Sequence, residues 1–333
     1  MEKQYYIGLD VHKLNTVYAV KDWNGQTVTT GKIATDYEDL KSVLERYLDK
    51  CKISLEASTS YYKLYQDFKQ NGYSISVANT IKLRRLIGKD DIVDAIRLAD
   101  MDRLGNLPTS YIPEKNVQSL RNMISLYHRF VQNRTKLKNQ IHANLDRNGI
   151  KISVRTPFSK KWLVGLQEQL ANVDSIELRY LFETEQDMSK RVDGLKIELI
   201  GYAKREFKRE LELVTSITGI GELLGSYILA EVLPITRFES KKKLNRYAGV
   251  IPVTNKSDGK IYATYLPKTA SRKLLRYALV EAANAAIKQK GRLQEYFKKK
   301  KKGRKYGQAI MCVARTISDL VYAVLTKNKP YEK

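Results

Sequence analysis

The chain has 333 residues, with 60 Lys or Arg against 36 Asp or Glu and a formal net charge of +24. A pI near 9.7 excludes the charge balance of a typical metabolic enzyme and points to a polyanionic partner. Hydrophobic residues at 43% exclude a disordered basic tail, and two cysteines, Cys51 and Cys312, exclude a disulfide framework or a zinc cluster.

In chain order, Tyr5 to Leu9 reads as a short apolar strand ending at Asp10. Thr16 to Val20 alternates as a second strand, and Asn24-Gly25 is a hairpin turn into a third strand, Gln26 to Ala34. Asp36 to Lys50 has helical spacing, Ile53 to Leu55 is a buried strand ending at Glu56, Tyr61 to Gln70 is helical and Tyr73 to Ala78 is a strand. A helix from Asp91 to Leu104 turns Ile92, Ala95, Ile96 and Ala99 inward. A three-strand meander followed by strand–helix alternation is the order of an RNase H-like α/β fold. From about Asn116 to Asn148 a long basic helix is predicted, and a second from about Ile176 to Leu213. Together they read as a helical hairpin or coiled-coil arm. The last part is mainly helical, over Glu222–Val232, Lys241–Tyr247, Ser271–Lys288 and Tyr306–Thr326. Between Lys288 and Lys305 ten Lys or Arg face one acid, Glu295. No signal peptide and no apolar run of membrane-spanning length is found, so a cytoplasmic protein without a membrane partner is expected.

Four carboxylates stand out. Asp10 and Glu56 each end a predicted strand; if those strands pair, the two acids meet at one sheet edge. Asp91 and Asp94, three apart on a helix, lie about 60° apart around its axis and share a face. A turn position or a helix N-cap would explain any one of them alone, and Asp90 competes with Asp91. Together, four converging acids repel unless a cation lies between them, and hard oxygen donors favour Mg²⁺ or Mn²⁺. Two such ions can activate a nucleophile and stabilise a leaving oxygen on a phosphodiester. Ile7-Gly8-Leu9-Asp10 also resembles the first phosphate loop of actin-like ATPases, but Gly219-Ile220-Gly221 opens a helix after a helical region and not after a strand.

Thr218-Gly219-Ile220-Gly221 before a helix reads as the hairpin of a helix-hairpin-helix element. There Gly219 and Gly221 would let backbone N–H groups approach a phosphate. An ordinary helix–helix turn is the plainer alternative. Ser257, in Asn255-Lys256-Ser257-Asp258-Gly259, reads as part of a polar turn. The three histidines, His12, His128 and His142, all lie far from it in sequence, so no Ser-His-Asp triad is supported.

Taken together, these segments resemble the transposases of insertion-sequence family one-hundred-ten (IS-one-ten), the DEDD-type, bridge-RNA-guided serine recombinases related to DNA invertases. The resemblance covers nearly the whole chain. It rests on Ile7 to Lys13, Leu55 to Ser58, Lys89 to Ala95 with Leu98-Ala99, Ile217 to Gly221, Phe238 with Tyr247 to Pro252, Ser257, Lys268 with Leu274 to Arg276, and Val321 to Ala323. One departure is Pro267-Lys268-Thr269-Ala270, where the family usually has Ser-Lys-x-Gly. The resemblance implies a RuvC-like DEDD catalytic domain over 1–108, a basic helical or coiled-coil arm over 109–213, and a mainly α transposase domain over 214–333 with a helix-hairpin-helix element. It implies that Asp10, Glu56, Asp91 and Asp94 hold Mg²⁺ or Mn²⁺ and that Ser257 is the nucleophile forming a phosphoserine–DNA link. It further implies donor and target DNA, a noncoding guide (bridge) RNA, and a homodimer or homotetramer with composite active sites, acting at the nucleoid of a bacterium or archaeon. Nucleic-acid contacts are expected at Gly219, Gly221, Lys268, Arg276 and Lys298, Lys299, Lys300, Lys301 and Lys302. The alternatives are a RuvC-like structure-specific endonuclease, which needs the acids but no serine, and a non-catalytic RNA- or DNA-binding protein.

Overall fold

The computed structural model describes residues 4–58, 60–83, 90–150, 158–159, 162, 164–166, 176–257, 260–267 and 272–332. The chain forms two compact units, Met1–Ile112 and Pro113–Lys333.

The first unit is built on a five-stranded mixed sheet of order β3-β2-β1-β4-β5. Strands β1 (Tyr5–Val11), β2 (Asn15–Lys21) and β3 (Thr27–Ala34) form the antiparallel meander. β4 (Cys51–Glu56) runs parallel to β1, and β5 (Ile75–Ala78) runs parallel to β4. This arrangement is consistent with an RNase H-like DEDD fold. Side chains alternate across the pleat. Ile7, Leu9, Ile53 and Leu55 face one way, into a core with Leu40 and Leu44 of α1 (Tyr37–Leu48) and Leu64 and Phe68 of α2 (Tyr61–Gln70). A short α3 (Thr80–Leu83) follows β5. Gly8 and Ser54 face the other way, towards α4 (Asp91–Arg103). α4 lies so close to β1 that a Cβ on Gly8 would stand 1.9 Å from the Ala95 carbonyl oxygen. Only glycine permits that approach.

The second unit is mostly helical. α5 (Lys115–Arg147) and α6 (Ile176–Glu206) pack side by side in opposite directions. Val117, Leu120 and Ile124 meet Leu199 and Ala203 in one cluster, while Ile141 and Leu145 meet Leu178 and Phe182 in another. A helical hairpin is therefore present. The predicted helix to Leu213 is broken, because buried Phe207 leaves helical geometry and a separate α7 (Lys208–Thr215) follows. α8 (Glu222–Val232), α9 (Lys241–Ala248), α10 (Lys273–Ala286), α11 (Arg292–Lys301) and α12 (Tyr306–Lys327) surround one large core.

Three differences from the sequence reading have physical causes. The polar turn expected around Ser257 is a β-hairpin: β6 (Val253–Ser257) pairs with β7 (Lys260–Tyr265), Ser257 opposite Lys260. The lysine run is the last part of a helix, α11, which buries Leu293 and Phe297 four residues apart. α12 is long and apolar enough to cross a membrane by length and composition. Its apolar face, with Ile310, Val313, Ile317 and Val321, is however buried in the protein core.

Candidate active site

β1 and β4 pair with Leu9 opposite Leu55, so Asp10 and Glu56 follow side by side at the strand ends. Both continue the face that carries Gly8 and Ser54, the face that α4 covers. Helix α4 brings its first turn there. Asp90 is its N-cap: one carboxylate oxygen accepts from the backbone N–H groups of Ile92, at 2.9 Å, and Val93, at 3.3 Å. Asp90 is occupied by the helix end, which leaves Asp91 and Asp94 on the face towards β1.

The acids form one electrostatic cluster. Burial pushes the Asp10 carboxyl above its ordinary range; His12 pulls it back, and the charges of Asp91 and Asp94 push it up further. Glu56 is likewise raised, first by burial, then by Asp10 and Asp94, with His12 opposing. Asp94 is buried, with the Arg97 guanidinium 3.5 Å away. Among the described residues no Lys or Arg forms an ion pair with Asp10 or Glu56. Asp10 and Glu56, held above the ordinary carboxylate range by burial and by neighbouring acids, offer hard oxygen donors that fit a divalent cation. Asp10, His12 and Asp91 place one donor atom each within 4.8 Å of one another. His12 was missing from the sequence-derived site, yet strand parity marks it: residues 8, 10 and 12 share a face.

The other predicted residues sit in the second unit. Ser257 ends β6, and its side chain lies outside the described residues, as does Lys268 entirely. Gly219 has φ +96°, and a Cβ there would stand 2.3 Å from the Ala282 carbonyl oxygen of α10. Close packing alone thus demands glycine, and no phosphate is needed to explain it. Gly221 caps the start of α8 in open space. Arg276 donates to the Pro267 carbonyl at 2.8 Å and so tethers the chain leaving the hairpin. Lys298, Lys299, Lys301 and Lys302 are exposed, with Lys300 over the Tyr296 ring. Lys298 to Lys301 make up the last turn of α11, where cations suit the helix dipole. His128 and His142 make ring contacts with Tyr277 and with Phe158 and Trp162.

A family model of the IS110 DEDD transposases, described as transposase, matches residues 7–149. A second, described as transposase of the IS116/IS110/IS902 family, matches residues 211–298. The y4qE protein of Sinorhizobium fredii, provisionally named a transposase, is 21% identical over 355 aligned positions, covering 97% of this chain and 88% of that protein. The uncharacterized 44.8 kDa protein of insertion element IS116 from Streptomyces clavuligerus is 28% identical over 119 residues, 35% of this chain and 30% of its own. The pilin gene-inverting protein of Moraxella bovis is 28% identical over 130 residues, 38% of this chain and 40% of its own. The chain thus aligns with most of y4qE but with less than half of the other two. Two models of one family, matching separate stretches that together exceed half of the chain, carry the conclusion: the chain belongs to the IS110 family, a DNA transposase of the DEDD type, whose family uses divalent metal.

Proposed function

We propose that this transposase cleaves and exchanges DNA strands with a metal-holding site made by Asp10, Glu56, Asp91 and Asp94 and with Ser257 as nucleophile. The observation that carries the reading is the convergence of the four acids at one end of the sheet, with Asp90 diverted to cap α4. Mg²⁺ or Mn²⁺, when bound, would neutralise charge on the scissile phosphate and lower the pKa of an attacking hydroxyl. The chain's own acids hold the ion and fix its position against the DNA backbone. Ser257 Oγ attacks the phosphorus, forming a Ser–O–P bond as one P–O ester bond of the strand breaks. The serine proton is released, and the leaving strand end takes one up as a free hydroxyl. A strand hydroxyl then reverses the exchange on the new partner and restores the serine. One ester replaces another at each step, so no external energy source is required.

Guidance by a bridge RNA, a composite site in a homodimer or homotetramer, and action in the cytoplasm follow from the family reading. So does the division into a RuvC-like catalytic domain, a coiled-coil arm and a C-terminal domain with a helix-hairpin-helix element. Segment inversion, which the name of the Moraxella protein ascribes to it, would be the same chemistry with both sites on one DNA. Lys268, Arg276, Gly221 and Lys298 to Lys302 would contact phosphates and make binding strongly salt-dependent.

The test uses purified full-length protein with element-end DNA and Mg²⁺. Ser257→Ala abolishes both the covalent protein–DNA adduct on a denaturing gel and recombination, while Asp10→Ala abolishes cleavage of any kind. Cleavage that survives Ser257→Ala but not Asp10→Ala overturns the serine step in favour of a hydrolytic nuclease. Sequencing of copurified nucleic acid tests guidance: a discrete noncoding RNA supports it, and its absence removes it.

A further inference from the structure

His12 follows β1 directly, and its backbone is held on both sides. Its N–H donates to the Asn15 carbonyl at 3.0 Å, and its carbonyl accepts from Thr35 Oγ1 at 2.9 Å. Thr35 Oγ1 in turn lies 2.9 Å from Thr16 Oγ1. The imidazole is therefore presented from a braced turn. Its Nε2 lies 3.3 Å from Asp10 Oδ2 and 3.4 Å from Asp91 Oδ2.

Asp10 feels His12 both as a charge and as a hydrogen-bond partner, but at 3.3 and 3.4 Å the two contacts are long. A charge-assisted N–H···O⁻ bond closes to about 2.7–2.9 Å, and a single N–H has one direction, so it satisfies one oxygen and not two. They suit donors that share an ion. Two donors each about 2.1 Å from a cation stand about 3.0 Å apart at a right angle and about 3.4 Å apart at the tetrahedral angle. Nitrogen also changes what the site selects. Mg²⁺ prefers oxygen donors alone and gives up its waters reluctantly, whereas Mn²⁺, although it too suits oxygen and stands first in the first-row affinity order, accepts a nitrogen donor beside oxygens more readily.

The structure assigns His12 as a third ligand beside Asp10 and Asp91, which makes this cation position a mixed nitrogen–oxygen site that takes Mn²⁺ in preference to Mg²⁺. The assignment rests on the reading of Asp10 and Asp91 as metal ligands. Glu56 and Asp94 supply oxygen only, so the preference belongs to the His12 side of the cluster.

The experiment is pulsed electron paramagnetic resonance on the full-length protein with one equivalent of Mn²⁺, together with calorimetric titration of Mn²⁺ and of Mg²⁺. Wild type shows nitrogen modulation on the Mn²⁺ echo, and labelling with ¹⁵N-histidine shifts it. His12→Gln removes the modulation and weakens Mn²⁺ binding by at least about tenfold, with a smaller loss for Mg²⁺. His128→Gln leaves both unchanged. If His12→Gln does not fold, ¹⁵N-histidine-labelled His128→Gln and His142→Gln proteins that keep the shifted modulation assign it to His12 by elimination. Bound Mn²⁺ without nitrogen modulation overturns the role of His12 and leaves the acid site standing. Failure to bind Mn²⁺ overturns both.

Discussion

Asp94 and Glu231 are buried to nearly the same degree, with 9% and 8% of their side chains exposed. Their surroundings differ. Glu231 is ringed by its own cations and donors: Arg272 reaches its two oxygens at 2.8 and 3.3 Å, the Tyr247 hydroxyl donates at 3.2 Å, and Arg121 stands 3.7 Å away. Asp94 lies 3.5 Å from the Arg97 guanidinium and also shares its neighbourhood with Asp10 and Glu56, whose ionised forms it disfavours. In the second unit a buried carboxylate is completed by protein and locks helices together. In the first, carboxylates are gathered, and among the described residues no Lys or Arg pairs with Asp10 or Glu56, an arrangement that recruits an ion from outside.

Substituting one acid in each place separates the two cases most strongly. Asp10→Asn is expected to lower cleavage on the order of 10³-fold while the metal-free protein keeps or raises its melting temperature, since a repulsive charge is gone. Glu231→Ala is expected to cost about 3 kcal/mol in denaturant unfolding. It leaves Arg121 and Arg272 without their carboxylate, and the half-exposed Arg272 holds the value at the low end of the range for a broken buried pair. Equal losses of stability for both variants would erase the distinction.

The next effect concerns how the acids are brought together. Gly8→Ala places a methyl against the Ala95 backbone, which cannot yield as a side-chain end could. About 1–3 kcal/mol of destabilisation is expected from the overpacking, with α4 lifted from β1. Cleavage should fall further than the loss of folded protein explains, because Asp91 and Asp94 move with the helix. Normal activity per folded molecule would mean that the close approach serves the core alone.

Much of this half of the molecule was legible from residues. Strand ends at Asp10 and Glu56 and a helix face with Asp91 and Asp94 follow from period-2 and period-3.6 patterns. His12 was harder to see, because alternation had to be carried one step past the last strand residue. In the second unit local signals misled. Asp258-Gly259 is a two-residue hairpin signal between alternating segments, but its polarity suggested a loop. Five consecutive lysines masked the Leu293–Phe297 helical spacing. The break falls at Phe207, which is buried in the core of the second unit, a long-range contact that no local pattern reports. Glu231 gave no sign of burial either, since the two arginines at its carboxylate, Arg121 and Arg272, lie 110 and 41 residues away in the chain.

A smaller effect is expected in the pH dependence of the metal-free protein. The carboxyls of Asp10 and Glu56 are raised above their ordinary values in the folded state. The folded state therefore holds their protons longer than the unfolded chain does. Their contribution to stability is full below the ordinary carboxylate range and is lost as pH rises through the raised values. A divalent cation offsets the repulsion once the groups are ionised. The rise in melting temperature on adding Mn²⁺ should accordingly be larger at pH 8 than at pH 5, and Asp10→Asn should flatten the difference. A cation effect independent of pH would place the ion elsewhere.

The smallest effect falls on Asp90, where the sequence left two roles open. As the N-cap of α4 it needs an acceptor oxygen but no charge, so Asp90→Asn should retain both stability and cleavage. Asp90→Ala should cost about 1 kcal/mol and loosen the turn that carries Asp91 and Asp94. As a metal ligand it would behave the other way: Asn would be nearly as damaging to cleavage as Ala, because the missing charge and not the missing cap would decide. Measuring cleavage and unfolding for this pair therefore tests whether the cluster at the sheet edge contains Asp91 by virtue of Asp90 having been taken out of it.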